Sequence, residues 1–340
     1  MVTGLERERV AAARPDAELI DVDEIGFHEL LRGGRSREPM FLELTSRAAR
    51  RTGVREAVVD FDFPLAVAER LRGDGIVLTV DDEGVSARRR VKSKLEMAGI
   101  RRAQRSAEAG MGAAAALLGQ ANAVEGTLHL DGEPLLAETV RAALREECHQ
   151  RDAPAPSDVI VASVWQGYGH ESGSGPLPAG LPIQIDLWPR DELSGCWADM
   201  TRTFLTGDGR PEEIVRQERL VREALEVVRA TVKPGVTGRE LHALCCEIFE
   251  PAGYRTQRTG PGEDRSEGFQ VSLGHGVGLR VHGDPGLGMA GHAPLVAGDV
   301  LAVEPGLWDR ELGGVRFEDL LLVADTGCET LTSYPYDLQA

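Results

Sequence analysis

Four carboxylates lie in apolar segments whose alternating side chains are typical of β-strands. Asp186 lies in IQIDL, where the aliphatic residues share one face and the carboxylate points to the other. Asp199 begins DMTRTF, in which the acid and two threonines share one face. Glu304 follows the apolar run LAV, and Glu318 lies in VRFED. A buried carboxylate needs a cationic partner or a metal ion, so these segments predict a shared polar site inside the fold.

Each acid taken alone also has a simpler interpretation. Asp186 and Asp199 could be solvated acids on the protein surface. Arg316 lies two residues before Glu318 on the same strand face and could form a salt bridge with it. We interpret Arg202 and Arg316 as side chains that neutralise the carboxylate cluster rather than as substrate contacts.

The elements around the acids repeat in a weak order. Two predicted helices precede the strand pair with two aspartates, and two more precede the strand pair with two glutamates. The aspartates are 13 positions apart and the glutamates 14. This order predicts two related halves that close around one site.

The chain of 340 residues is long enough for a large domain with a smaller one before it. The basic run at 88–90 marks the predicted boundary, which gives a small α/β domain at 1–90 and a larger domain at 91–340. Two strands, 56–63 and 75–80, are predicted in the small domain.

Capping boxes mark the start of two helices in the larger domain. Ser93 and Glu96 have the required spacing before an alanine-rich stretch that extends to Leu118, and Thr237 and Glu240 repeat the pattern. Two further helices are predicted at 134–151 and 211–231. Strands are predicted at 158–165, 183–188, 196–204, 300–307 and 314–324.

Three histidines could join the acids. His275 lies in SLGHGVG, where small neighbours let the backbone approach a ligand or metal closely, although a glycine-rich turn with an incidental histidine is the alternative. His170 and His282, each considered alone, are more typical of loops. Four carboxylates and an imidazole suit Mn²⁺, Co²⁺, Zn²⁺ or Fe²⁺, and carboxylates can bridge two ions.

Composition excludes several other classes of protein. The chain has 38 basic and 55 acidic residues, and its formal net charge of −17 disfavours binding to nucleic acids or acidic membranes. Five cysteines without a CxxC pair argue against a disulfide framework and indicate a reducing compartment, so we expect a cytoplasmic protein. We expect no signal peptide and no membrane-spanning segment.

Taken in order, the motifs DxTRTF, GHGxGxxxH, VEPG and GVRxED resemble the pita-bread metallopeptidases. This family includes methionine aminopeptidase, Xaa-Pro aminopeptidase and Xaa-Pro dipeptidase, and the resemblance extends from about residue 90 to the C-terminus. It implies an α+β catalytic domain with pseudo-twofold halves. The small α/β domain before it favours the Xaa-Pro enzymes. The resemblance also implies a homodimer that removes the N-terminal residue of short peptides, with Xaa-Pro as the expected substrate.

The resemblance further implies roles for individual residues. Asp186 would be a terminal ligand of the first of two divalent ions, with Mn²⁺ or Co²⁺ expected and Zn²⁺ or Fe²⁺ as alternatives. Asp199 and Glu318 would bridge both ions, and His275 and Glu304 would bind the second.

Three of the residues with implied roles would take part in catalysis. Glu304 would also act as the proton shuttle. His170 and His282 would contact the scissile peptide and stabilise the charge that develops on it.

The chain departs from the family pattern at three places without losing a metal ligand. The aspartates are usually 11 positions apart, and the hairpin here carries the insertion PRDE. Trp188 stands where glycine is common, and Gly283 stands where the Xaa-Pro enzymes commonly have glutamate. Trp188 and the longer hairpin would reshape the substrate pocket.

Two other functions remain open for this scaffold. One is a metal-free, non-peptidase hydrolase similar to creatinase, and the other is an inactive binding module. The complete ligand set argues against both.

Overall fold

The computed structural model describes residues 1–163, 170–207, 209–265 and 267–339. The chain forms two compact units, residues 1–86 and 87–340, so this division precedes the predicted boundary by four residues. Helix α5 (Asp82–Arg90) contains both positions. Among the helices of the described ranges, none combines the length and apolarity that crossing a membrane requires.

The N-terminal unit combines four helices with a two-stranded sheet. Strands β1 (Glu56–Val59) and β2 (Val77–Val80) pair in parallel, and the helix between them makes a β-α-β connection. Both strands are shorter than predicted. The first ends because the chain turns at Asp60, whose carbonyl accepts a hydrogen bond from the Phe63 N–H. The helices are α1 (Arg7–Ala13), α2 (Phe27–Arg32), α3 (Arg37–Arg51) and α4 (Leu65–Gly73).

The first half of the C-terminal unit packs two helices against an antiparallel sheet. Helix α6 (Lys94–Gln120) begins with the predicted capping box at Ser93, and helix α7 (Ala137–His149) packs against it. The sheet has the order β6–β7–β8, and apolar side chains fill the space between it and the helices. The strands of this half are β3 (Asn122–Val124), β4 (Thr127–Leu130), β5 (Glu133–Pro134), β6 (Ile160–Ser163), β7 (Pro182–Leu187) and β8 (Met200–Leu205).

The second half repeats this order. Helix α8 (Glu212–Thr231) packs against helix α9 (Gly238–Phe249), which begins with the predicted capping box at Thr237. The sheet that follows has the order β14–β13–β10–β9, and β11 pairs with β12 in a separate hairpin. The strands are β9 (Gly274–Gly276), β10 (Val300–Val303), β11 (Gly306–Asp309), β12 (Gly313–Arg316), β13 (Asp319–Ala324) and β14 (Gly327–Thr330). The predicted succession of helix pairs and strands is confirmed, although only Asp186 of the four acids lies within a strand.

Two strands predicted as continuous are interrupted, and a glutamate lies at each interruption. Strand β10 ends before Glu304 because Pro305 has no N–H to continue the ladder, although the Glu304 N–H still donates to the Leu273 carbonyl in register with β9. Strand β12 ends before Phe317, and the Glu318 N–H donates to the carbonyl of Thr201 in the other half. The stretches 300–307 and 314–324 are therefore strand-rich as predicted, but each is divided into two strands.

The predicted strand at 196–204 also starts later than expected, so Asp199 lies just before β8 and not within it. The segment before it belongs to the hairpin, where the Ala198 N–H donates to the Pro189 carbonyl. The predicted strand at 158–165 is described as Ile160–Ser163, and its last two positions lie outside the described residues.

The long hairpin between β7 and β8 is closed by a buried aspartate. Both carboxylate oxygens of Asp191 accept from the Arg102 guanidinium, at 2.7 and 2.9 Å, and one also accepts from the Ser194 N–H and hydroxyl at 2.8 and 2.6 Å. Burial by itself would raise the pKa of Asp191, but these hydrogen bonds outweigh it and lower the pKa to about 2. The ionised aspartate therefore fixes the hairpin to helix α6.

Replacing Asp191 by asparagine is expected to lower the free energy of unfolding by about 2 kcal/mol at pH 7. A folded-state pKa below the unfolded value of about 3.9 gives stability that is present above that value and is lost as the pH falls towards 2. Urea unfolding of both proteins at pH 7, 4 and 3 should show the difference shrinking with acidity. Glu192→Gln, at the exposed neighbouring position, is the control. A difference that is independent of pH would contradict the ionic origin.

Candidate metal centre

The four acids lie at neighbouring strand ends of the two sheets. Asp186 lies in β7 and Asp199 directly before β8. Glu304 directly follows β10, and Glu318 occupies the gap between β12 and β13. His275 is the central residue of β9, where it pairs with Ala302 of β10. Each half of the unit therefore contributes acids, and the imidazole comes from the second half.

A single cavity of about 220 Å³ brings these side chains together. Its walls contain all seven of the site residues predicted from the sequence, together with two apolar side chains and one arginine. The lining residues are Ile160, His170, Asp186, Trp188, Asp199, His275, His282, Glu304, Arg316 and Glu318.

The tightest group of metal-binding atoms belongs to three residues from separate elements. One ligand atom each from Asp199, His275 and Glu318 lie within 4.8 Å of one another, which is close enough to hold a common cation. The His275 Nε2 is also 3.6 Å from a carboxylate oxygen of Asp199 and 3.6 Å from one of Glu304. Asp186 lies in the same cavity but outside this group.

Arg316 is the cation that already faces the acids. Its buried guanidinium contacts Asp186 and lies 3.7 Å from Glu304, so the interpretation of Arg316 as a neutralising side chain is confirmed. It reaches Glu318 through a hydroxyl: the Arg316 Nε donates to the Thr201 Oγ1 at 3.3 Å, and this hydroxyl donates to the Glu318 Oε2 at 2.7 Å. Thr201 therefore orients a predicted metal ligand, a role that the sequence analysis missed although the threonine belongs to DxTRTF.

Arg202 has a different role from the one interpreted from the sequence. Its guanidinium donates to the Asp319 carboxylate at 2.9 Å and to the Glu318 backbone carbonyl at 2.7 Å, and it lies 4.6 Å from the centre of the Tyr336 ring. Asp319 also accepts from the Tyr336 hydroxyl. Arg202 thus orders the backbone beside Glu318, and the interpretation that it neutralises the metal-binding carboxylates was wrong.

The pKa values of these acids are raised, and a bound cation would lower them again. Burial raises the pKa of Asp199, and repulsion from Glu318 raises it further. Burial and then the charge of Glu304 raise the pKa of Glu318, while burial raises the pKa of Glu304 to about 7 against the opposing effect of Arg316. The charge of Arg316 is therefore too small to balance three buried carboxylates and the partly buried Glu304 at neutral pH.

The donor set fits divalent metal ions. Carboxylate oxygens and an imidazole are ligands of Mn²⁺, Co²⁺, Zn²⁺ and Fe²⁺. The buried Asp186 Oδ1 has no hydrogen-bond partner among the described residues. Buried polar atoms are normally paired, so this oxygen fits the role of a metal ligand. Burial, followed by the nearby His282, lowers the pKa of His275 to about 4, which keeps the imidazole in the neutral form that binds metals.

Two further histidines lie at the exposed rim of the cavity. The His282 ring packs edge-on against His275, with 4.3 Å between ring centres. The His170 ring lies 6.0 Å from the ring of Trp308. Both side chains are exposed, so they could meet a ligand that enters from solvent. Their catalytic roles stay predictions.

The model of metallopeptidase family M24 matches residues 98–325 of the chain, which covers both halves and the whole cavity. The chain belongs to this family. The fold predicted from the motifs, a pita-bread domain preceded by a small N-terminal domain, is confirmed.

Several named proteins are similar in sequence. An uncharacterised peptidase of Bacillus subtilis is 35% identical over 184 residues, which cover 53% of this chain and 48% of the relative. A Xaa-Pro dipeptidase of Pyrococcus furiosus is 35% identical over 190 residues, which cover 53% and 49%. The matched segment thus spans about half the length of these relatives.

Solved structures match over a larger share of the chain. The prolidase of Pyrococcus horikoshii aligns with a TM-score of 0.71 and 25% identity over 86% of this chain and 79% of that one. A Xaa-Pro dipeptidase of Bacillus anthracis aligns with a TM-score of 0.77 over 99% of this chain and 84% of that one. At 21% sequence identity, this match is evidence for the fold alone.

Proposed function

We propose that this M24 protein is a dinuclear-metal-dependent exopeptidase that hydrolyses the N-terminal peptide bond of short peptides, with Xaa-Pro as the preferred pair. The observation that carries the proposal is the cavity in which three buried carboxylates, the partly buried Glu304 and a neutral histidine face one another around Arg316. The Xaa-Pro dipeptidase among the sequence relatives supports the choice of substrate.

The proposed ligands divide between the two ions. Asp186 would hold the first ion, Asp199 and Glu318 would be shared by both, and His275 and Glu304 would hold the second. The short distances from His275 to Asp199 and Glu304 support this division. Two such ions, with Mn²⁺ or Co²⁺ expected, would polarise the scissile carbonyl and lower the pKa of a water molecule between them.

The protein's own side chains then move protons and bind the substrate. Glu304, which lines the cavity beside His275, accepts a proton from the attacking water and returns it to the leaving amine. His170 and His282, at the rim, donate hydrogen bonds to the peptide as negative charge develops on its carbonyl oxygen.

We also propose that the protein is a cytoplasmic homodimer. Ultracentrifugation of the purified chain would test the dimer.

The proposal is tested by peptide cleavage, followed by mass spectrometry, on protein that has been stripped of metal and reloaded with Mn²⁺ or Co²⁺. The panel contains Xaa-Pro dipeptides, Xaa-Pro-Xaa tripeptides, Met-Ala-Ser and creatine. We expect metal-dependent loss of one N-terminal residue, fastest for the proline peptides. His275→Ala should abolish this activity, whereas His292→Ala, at an exposed histidine that does not line the cavity, should retain it.

The same panel separates the two alternatives. Hydrolysis of creatine without metal would replace the peptidase proposal with a creatinase-like function. Protein that neither retains metal nor cleaves any member would indicate a binding module.

A further inference from the structure

Beside the acids, one wall of the cavity is formed by the large aromatic side chain of Trp188. Trp188 directly follows β7 and lies two residues after Asp186, so the two side chains emerge on the same side of the strand. Leu187 pairs with Met200 in the adjacent strand, and continuing this register places Trp188 opposite Asp199. Trp188 lines the cavity together with both aspartates.

Apolar packing on the side away from the cavity holds the indole of Trp188 in place. It is partly buried and packs against the apolar cluster that joins helices α6 and α7 to the first sheet. The hairpin that begins at Trp188 is fixed to helix α6 by the Arg102–Asp191 pair. A large aromatic ring packed in this way acts as a rigid boundary, because moving it would expose apolar surface that is now buried.

The cavity that this wall leaves is small. Its volume of about 220 Å³ is below the roughly 300–1,000 Å³ that is common for small-molecule pockets. The proposed exopeptidase has only one residue before the scissile bond, so the rest of a bound peptide extends towards solvent past the exposed rim histidines. The N-terminal residue of a bound peptide would therefore lie against the indole, while the residue that leaves would lie towards the rim histidines.

We propose that Trp188 is a specificity-determining residue that restricts the N-terminal residue of the substrate to a small side chain, such as that of glycine or alanine. This inference rests on the proposed peptidase function and names its substrate class. The substrate would then meet two requirements. Its N-terminal residue is limited in size by Trp188, and its second residue is preferably proline.

The test measures kcat/KM for two peptide series in three proteins, which are the wild type and the variants Trp188→Gly and Trp188→Ala. The first series varies the N-terminal residue through Gly, Ala, Leu and Phe before a constant Pro-Ala, and the second varies the second residue behind a constant Gly. We expect wild-type protein to favour Gly or Ala over Phe at the N-terminus by about 100-fold or more, and both variants to reduce this ratio to about 10-fold or less.

Trp197→Phe is the matched control. This tryptophan lies in the same hairpin, where it stacks with Arg190 and does not line the cavity, so its replacement should leave the ratio unchanged. Thermal unfolding of each variant shows whether the fold survives. An effect of the Trp188 variants that is confined to the second series, or a wild-type ratio near one in the first, would overturn the inference.

A binding measurement keeps the inference testable if no peptide is cleaved. Calorimetry with Mn²⁺-loaded protein compares glycine hydroxamate with phenylalanine hydroxamate, small metal-chelating probes that carry the same amino group. Wild-type protein should bind the glycine probe at least about 10-fold more tightly, and Trp188→Gly should remove the difference. Discrimination without cleavage would refute the peptidase proposal and retain the steric wall, whereas equal binding in wild-type protein would refute the wall.

Discussion

Replacement of Glu304 by glutamine is expected to reduce metal-supported turnover by about 10²–10⁴-fold without unfolding the chain. Glutamine has nearly the same shape and can still lie beside Arg316 and His275, but it can neither accept nor return a proton. The carboxyl group is placed for both steps, because it lines the cavity and lies 3.6 Å from the His275 Nε2. The measurement is kcat for the best peptide of the panel, together with the circular dichroism spectrum and melting temperature of each protein.

The control for this variant is Glu311→Gln, which changes an exposed glutamate in the turn between β11 and β12. It should retain full activity. Metal content must be measured in both variants, because Glu304 is also a proposed ligand. Loss of turnover with both ions retained would assign the effect to proton transfer, and undiminished turnover would refute the assigned mechanism.

Removal of the metal ions is expected to abolish activity and to lower the melting temperature by about 12–24 °C. A ligand at 100 times its dissociation constant adds about 3 kcal/mol of stability, and two ions would double this. One kcal/mol shifts the melting temperature by about 2–4 °C in domains of 150–250 residues. The physical cause is the mutual repulsion of the four clustered carboxylates, which Arg316 does not offset.

Thermal unfolding of chelator-treated protein, before and after Mn²⁺ is restored, measures this effect, and elemental analysis counts the ions. Asp199→Asn removes a proposed bridging ligand and should lower both the count and the rise in melting temperature. Asp325→Asn, at an exposed turn between β13 and β14, should change neither. Equal melting temperatures with and without metal would contradict a metal centre at these residues.

Local features of the sequence were enough to predict most of the secondary structure. The capping boxes at Ser93 and Thr237 start helices as predicted, because each depends only on residues three positions apart. The alternation around Asp186 identified strand β7 for the same reason. Where the prediction failed, at Asp199, Glu304 and Glu318, the backbone hydrogen bonds go to distant segments or to the hairpin, and no local pattern contains that information.

The sequence by itself determined the donor types, their order along the chain and the family fold, since these depend on residue identity and short spacings. Only the tertiary structure decided which side chains face one another. Arg316 contacts Asp186 across 130 positions, and Thr201 orients Glu318 across 117. The role of Arg202 and the position of Trp188 in the cavity wall were decided in the same way. Such contacts form only when the two halves close over a common cavity, and the packing that closes them is spread over many residues far apart in the chain.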